Sequence, residues 1–458
     1  MQDQGNTAVE GQAGRKLGFW MCTALVVGNT IGIGIFLLPA SLAPYGYNAM
    51  FGWVITVVGC VAMARVFARL ARDMPAADGP YGYIRSTLGE VPAFLAMWSY
   101  WVSLWITNAA IAIGVVGYLD TVFPGLVGIP PALQALALLW LFVAINLLGV
   151  RTGGRVQVVT TALKLVPMLA VAALGVWLLI THPSSYTQHL PTASVSLHPL
   201  MAASTIALFA MLGFESATVP ANRVRDPGRT IPRATIVGTL LTAGIYLVVS
   251  SIPLLLIPVN ELAASKAPFS DLLDRMVGAG YGRALALFVI VSGLGALNGW
   301  VLLVGELTRT IASNGGLPTV FARSNRFGAP AHALLVTGVL ASAMVLMNYS
   351  KSLVQGFTFI TTVVTAANLP LYLCCGLALV VLWRRRQQPA SRDLLVLAIP
   401  GLAYVVFAFI GVGREPFLWA IALALAGLPV YALLRLRAAG SRIGSAGADV
   451  LAPPNQKH

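Results

Sequence analysis

Residues 19–40 form one long apolar run, and Gly28-Asn29-Thr30-Ile31-Gly32-Ile33-Gly34-Ile35-Phe36 sits inside it. About twenty apolar residues are enough for a helix to cross a bilayer. Gly28, Gly32 and Gly34 weaken any continuous helix at that place. A spanning helix that stops and restarts leaves N–H and C=O groups without partners. Lipid tolerates this only where the backbone is buried in protein or lines a wet cavity. Such breaks near mid-membrane are a common way to hold a small charged solute. Close helix packing through small residues four apart explains the same glycines without a break. The spacing alone leaves both readings standing.

The rest of the chain has the same solvent. Hydrophobic residues make up 58% and charged residues 10% of it, and the mean hydropathy is +0.82. A soluble protein is about a quarter charged. Twelve apolar segments of spanning length can be marked, at 19–40, 49–68, 91–119, 133–150, 158–180, 200–219, 234–257, 284–311, 331–347, 357–382, 394–412 and 417–434. They predict an all-α polytopic membrane protein. The first run is too long for a signal peptide and lacks a small-residue cleavage site, so none is expected. One membrane domain over 15–437 is expected, with disordered cytoplasmic ends at 1–14 and 438–458.

A formal charge of +14 suggests nucleic acid until its distribution is read. Counting loops alternately from the N-terminus, one set carries most of the arginines, among them Arg15, Arg65, Arg69, Arg72, Arg85, Arg229, Arg323, Arg384, Arg385 and Arg435. The other set carries only Lys266, Arg275, Arg283, Lys351 and Arg414. That bias is the positive-inside rule. It places both termini in the cytoplasm of a multi-pass inner-membrane protein. The basic excess then serves topology and contact with the lipid bilayer, and no nucleic-acid partner is expected.

Cys22, Cys60, Cys374 and Cys375 all fall inside apolar segments, where free Cys is a common small buried residue. His182, His189, His198, His332 and His458 offer no metal-ligand spacing and no hydrolase triad. No metal, cofactor or enzymatic activity is expected.

A second interruption lies in the sixth segment, at Phe209-Ala210-Met211-Leu212-Gly213-Phe214-Glu215. Matching interruptions in corresponding helices of two halves point to an inverted repeat with a binding site at the breaks. Here that pointer rests on the breaks in segments 1 and 6 alone, since the halves show no residue-level similarity. Three ionisable residues lie within apolar segments: Glu215, Lys164 and Glu306. A charge at mid-membrane costs about 2.5 kcal/mol or more, so each is a functional candidate. Glu215 follows the second break directly and reads either as a gate and proton site or as a structural cap. Lys164 reads either as a snorkelling ammonium or as a cation substitute suited to proton exchange. For Glu306 an ion pair with Arg309 at i+3 is the plainer reading. Tyr100, Trp101, Ser103 and Asn108 lie in the third segment, Trp300 in the eighth, and Phe209 before the second break. Aromatic faces clamp aliphatic chains or cations. Ordinary packing accounts for any single one of them.

These residues carry a resemblance. Gly28-Asn29-Thr30-Ile31-Gly32-Ile33-Gly34-Ile35-Phe36-Leu37-Leu38-Pro39-Ala40, Gly79-Pro80-Tyr81-Gly82-Tyr83, Tyr100-Trp101 with Asn108, Gly213-Phe214-Glu215-Ser216-Ala217, Asp226-Pro227, Ile231-Pro232-Arg233-Ala234 and Gly299-Trp300 occur in this order. The chain resembles the amino acid–polyamine–organocation transporters from about Leu17 to Arg437. It is most similar to the bacterial basic amino acid/polyamine antiporters, the arginine/agmatine antiporters among them. The resemblance implies two inverted five-helix repeats with broken helices 1 and 6, two further helices, and a homodimer. It implies that the backbone around Asn29, Thr30, Gly32, Ile33 and Gly34 holds the α-carboxylate and α-amine. It implies that Phe209 stacks on the bound side chain near Leu212. Ser103 and Asn108 are implied polar contacts, Trp300 a middle gate, and Tyr100 with Glu215 a cytoplasmic gate. Three departures matter. Ile33 replaces a serine, Phe209 a tryptophan, and Lys164 a small apolar residue.

The expected function is secondary transport of amino acids or polyamines by alternating access, as exchanger or importer. A proton-coupled importer of neutral amino acids is the second reading, raised by Lys164 and Ile33. A transport-derived sensor is a remote third.

Overall fold

The computed structural model describes residues 18–436 except 76, 78, 127, 150–167, 179, 182–193, 216–223, 314, 348–350 and 387–391. Among the described residues there are helices and no β-strand. The helices are α1 Phe19–Thr30, α2 Gly34–Leu42, α3 Tyr47–Asp73, α4 Gly79–Leu88, α5 Glu90–Val122 and α6 Pro131–Leu147. They continue as α7 Met168–Leu178, α8 Leu197–Met211, α9 Pro227–Leu256, α10 Val259–Ala264, α11 Pro268–Val277 and α12 Tyr281–Ser313. The last are α13 Ala331–Met347, α14 Leu353–Arg386, α15 Arg392–Gly411 and α16 Arg414–Leu425.

Six helices are long and apolar enough to cross a membrane, and the bent pair α1–α2 makes a seventh span. Five shorter apolar helices, at Pro131–Leu147, Met168–Leu178, Leu197–Met211, Ala331–Met347 and Leu395–Gly411, fall one to each of the remaining segments. The architecture is that of an all-α polytopic membrane protein.

Burial sorts the helices into a wall and a centre. In α5, 94% of the spanning window is buried, against 11% for the last span, Arg414–Leu436. The long apolar stretch of α5 from Ser99 to Tyr118 is buried on every face, which is what a helix ringed by others requires. It packs on α12 and α14. On the other side α9 packs on α3 and α1, and α8 packs on α3 and α2. The two interrupted spans therefore lie between α5 and the α3–α9 pair.

Candidate functional site

The first break falls where the glycines predict it. α1 ends at Thr30, Ile31 turns to an extended ψ of 103°, and α2 begins at Gly34. The axis bends by 43° between the two halves. The Ile31 amide still donates to the Val27 carbonyl at 2.9 Å, and the Phe36 amide donates to Ile33 at 3.0 Å. The first amides of α2 have no i−4 acceptor, as at any helix start. They give this end of α2 a positive character that favours an anion.

The second break begins at Leu212. Its ψ is 142°, and its amide donates to the Phe209 carbonyl at 3.2 Å. Gly213 follows at φ 106°, in the left-handed region where side chains are strained. A Cβ on Gly213 would lie 3.1 Å from the carbonyl carbon and oxygen of Asn29 and 3.2 Å from the Thr30 nitrogen. The two unwound backbones are thus in contact. The C-terminal ends of α1 and α8 both present carbonyls at this place, which suits a cation. One spot therefore offers an anion-favouring end and two cation-favouring ends, the pattern of an amino acid's two charges.

Tyrosines from neighbouring helices seal the first break. The Tyr246 hydroxyl of α9 donates to the Thr30 carbonyl at 2.8 Å and sits beside the Gly32 amide. The Tyr118 hydroxyl of α5 donates to the Phe36 carbonyl at 2.7 Å. Both tyrosines are fully buried. Sequence reasoning missed them. The available signal was a hydroxyl deep in an apolar segment, which needs a partner once buried.

A cavity of about 20 Å³ lies at the junction. Asn29, Thr30, Gly32, Ile33, Gly34, Phe209, Leu212 and Trp300 line it together. Phe209 lies directly on Gly34: a Cβ there would meet the ring at 2.8 Å. Its ring also meets Phe357 edge-on, with centroids 6.0 Å apart. The side chain of Ile33 turns away, toward Gly114 and Gly293, where Cβ atoms would approach it to 3.0 and 3.1 Å. Ser103 and Asn108 do not line the cavity, and Thr107 and Ile111 stand there instead. Residues four apart share a helix face, so Thr107 and Ile111 look inward while Asn108 is rotated away from them. The Ser103 hydroxyl donates to the Tyr100 carbonyl at 2.7 Å. Asn108 is buried, and its side-chain oxygen has no partner among the described residues.

Glu215 is fully buried just past the second break. One carboxylate oxygen accepts the Gly213 amide at 3.2 Å and the Tyr372 hydroxyl at 2.9 Å. Its own amide and the Tyr100 hydroxyl also hydrogen-bond to the carboxyl. Glu215 and Tyr100 form the inner wall of a second cavity, about 110 Å³ in volume, whose other lining residues include Tyr81, Trp98, Trp101 and Leu317. Tyr372, from α14, is a third tyrosine that sequence reasoning missed. The Glu215–Tyr100–Tyr372 cluster thus borders the larger cavity on the side of α4.

Lys164, Ser216 and Ala217 lie outside the described residues. Glu306 pairs with Arg309 at 2.7 Å, the plainer of its two readings. Among the described residues no group of His, Cys, Asp and Glu side chains is placed to hold a metal.

Comparison with known proteins adds three findings. A family model described as amino acid permease matches residues 17–432. The chain is 33% identical over 338 residues to the cadaverine/lysine antiporter of Escherichia coli K12, covering 73% of this chain and 75% of the relative. It is 28% identical over 426 residues to the putrescine transporter PotE of the same strain, covering 92% and 97%. Among solved structures it resembles a Na+-coupled sialic acid symporter in its substrate-bound outward-open state. That match has a TM-score of 0.54 and 13% identity, over 89% of this chain and 91% of the other. At that identity the last likeness speaks for the fold alone.

Proposed function

The chain belongs to the amino acid permease family, and from that premise we propose that it exchanges cationic amino acids and diamines across the inner membrane. It is a secondary transporter of amino acids or polyamines and not an enzyme. Exchange is favoured by the relatives, one an antiporter of cadaverine and lysine and one a transporter of putrescine. The alternative, a proton-coupled importer of neutral amino acids, is not favoured by these relatives.

The observation that carries the site is the contact between the two breaks, with Gly213 against Asn29 and Thr30. The start of α2 takes the α-carboxylate. The carbonyls that end α1 and α8 take the α-amine. The Phe209 ring offers its face to the cationic side chain. A diamine lacks the carboxylate and keeps the last two contacts. Trp300 borders the same cavity and serves as a middle gate. Glu215, Tyr100 and Tyr372 form the gate toward the larger cavity, and among the described lining residues Glu215 is the carboxyl able to exchange a proton or meet a passing cation. For Lys164, which lies outside the described residues, the role proposed is that of an ammonium standing in for a bound cation. A cavity of about 20 Å³ holds one or two waters, so the gates must separate before a solute enters.

The charge bias supports a cytoplasmic position for both termini and a cytoplasmic side for the larger cavity. A single transporter domain spans 15–437, and the last span, largely unburied, is a surface on which a homodimer forms.

Counterflow in proteoliposomes tests this reading. Vesicles loaded with unlabelled lysine, arginine, putrescine or cadaverine should take up the labelled partner without a pH gradient. Uptake that needs no internal substrate and follows an imposed pH gradient would replace exchange by symport.

A further inference from the structure

On the outer wall of the bundle, α3, α9 and α15 leave a groove of about 360 Å³. Its walls are apolar: Val58 and Val61 on α3, Leu240 on α9, and Val396 and Pro400 on α15. Val58, Leu240 and Val396 are 63%, 50% and 68% exposed. In a membrane that exposure faces acyl chains, not water. Among the described lining residues the charged one is Arg65.

Arg65 stands eight residues before the end of α3 at Asp73, about 12 Å along the helix axis at a 1.5 Å rise. Its guanidinium is exposed on the lipid-facing side. One turn further on, Arg69 is already paired with Asp73 at 3.0 Å. Arg65 makes no ion pair with any described residue. A cation beside an apolar, lipid-facing groove is best satisfied where an anion reaches it or the side chain snorkels out. Pro400 adds a second polar feature. Having no N–H, it withdraws the usual helical partner of the Val396 carbonyl. Val396 and Pro400 both line the groove, so this acceptor lies on the same face.

We propose that the groove holds one anionic glycerophospholipid, its phosphodiester on Arg65 and one acyl chain along Val58, Val61 and Leu240. A glycerol headgroup also supplies a hydroxyl for the Val396 carbonyl. Net charge decides the class: a guanidinium with no ion-pair partner among the described residues is matched by a lipid of one negative charge, and a zwitterionic lipid brings its own cation into the groove. The site is independent of the substrate proposal and rests only on the chain spanning a membrane.

Native mass spectrometry of the full-length protein, released from detergent after incubation with phosphatidylglycerol, tests it. Wild type should keep one phosphatidylglycerol per chain under conditions that strip the rest. Arg65→Gln should lower that retention roughly tenfold, the loss of one charge-assisted contact, and Arg65→Lys should recover part of it. Val396→Trp fills the groove and should abolish retention with Arg65 in place, so the proposal survives a poorly folding Arg65→Gln. Equal retention by wild type, Arg65→Gln and Val396→Trp would overturn it. So would phosphatidylethanolamine binding as well as phosphatidylglycerol, or displacement of the lipid by inorganic phosphate.

Discussion

Gly213 and Asn29 touch backbone to backbone: any side chain at Gly213 would meet the Asn29 carbonyl at 3.1 Å. Neither residue is near the other in sequence, and each sits where its own helix has come apart. Their contact joins the two interruptions into one polar patch inside an otherwise apolar bundle.

Gly213→Ala therefore strains the site twice. The left-handed backbone at φ 106° costs a residue with a Cβ about 1–2 kcal/mol, and the new methyl must push the two breaks apart. Transport should fall at least tenfold while the protein still reaches the membrane. Vesicle uptake compared at matched protein level checks this. Unimpaired transport would mean that the contact between the breaks is not needed.

Phe209→Ala removes the aromatic face beside Gly34. If the ring meets a cationic side chain, the loss is about 1–2 kcal/mol, or roughly five- to thirtyfold in Kd. Labelled lysine binding to purified protein measures it. Unchanged affinity would leave Phe209 as packing against Phe357.

Tyr246→Phe deletes one hydroxyl and leaves the Thr30 carbonyl without that donor. A buried acceptor stripped of its partner costs about 1–3 kcal/mol. The thermal midpoint in detergent should drop, with the order of substrate preference unchanged. No drop would show that another donor takes over.

Glu215→Gln keeps the shape and removes the charge. The carboxamide oxygen still accepts the Tyr372 hydroxyl. Turnover should fall and lose its dependence on pH, while expression and the thermal midpoint hold. A variant that turns over like wild type from mildly acidic to mildly basic pH would reduce Glu215 to a cap on the Gly213 amide.

Much of this was legible in the sequence because it depends on local rules. Apolar length marks the spans, and glycines mark where a span fails, which is why the breaks at Ile31 and Leu212 stand where they are expected. The rotation of α5 was not legible. Asn108 attracts attention as an amide in an apolar helix, yet Thr107 and Ile111 form the cavity face. A helix that is apolar all round carries no stripe to say which side is inward. Tyr118, Tyr246 and Tyr372 were missed for a related reason. Each reaches a backbone or carboxylate partner from a helix remote in sequence, and only the packing of helices decides which partner that is.

Substrate binding to purified protein after closure of the junction is the most direct test of the central claim. Gly34→Ala places a methyl 2.8 Å from the Phe209 ring, inside the cavity and at the start of α2. Lysine and putrescine should bind wild type saturably, and Gly34→Ala should weaken both at least tenfold while the protein remains folded with a cooperative thermal transition. Full-affinity binding of both ligands by a well-folded Gly34→Ala would contradict the account, because the space between the two broken helices would then not be where the substrate sits.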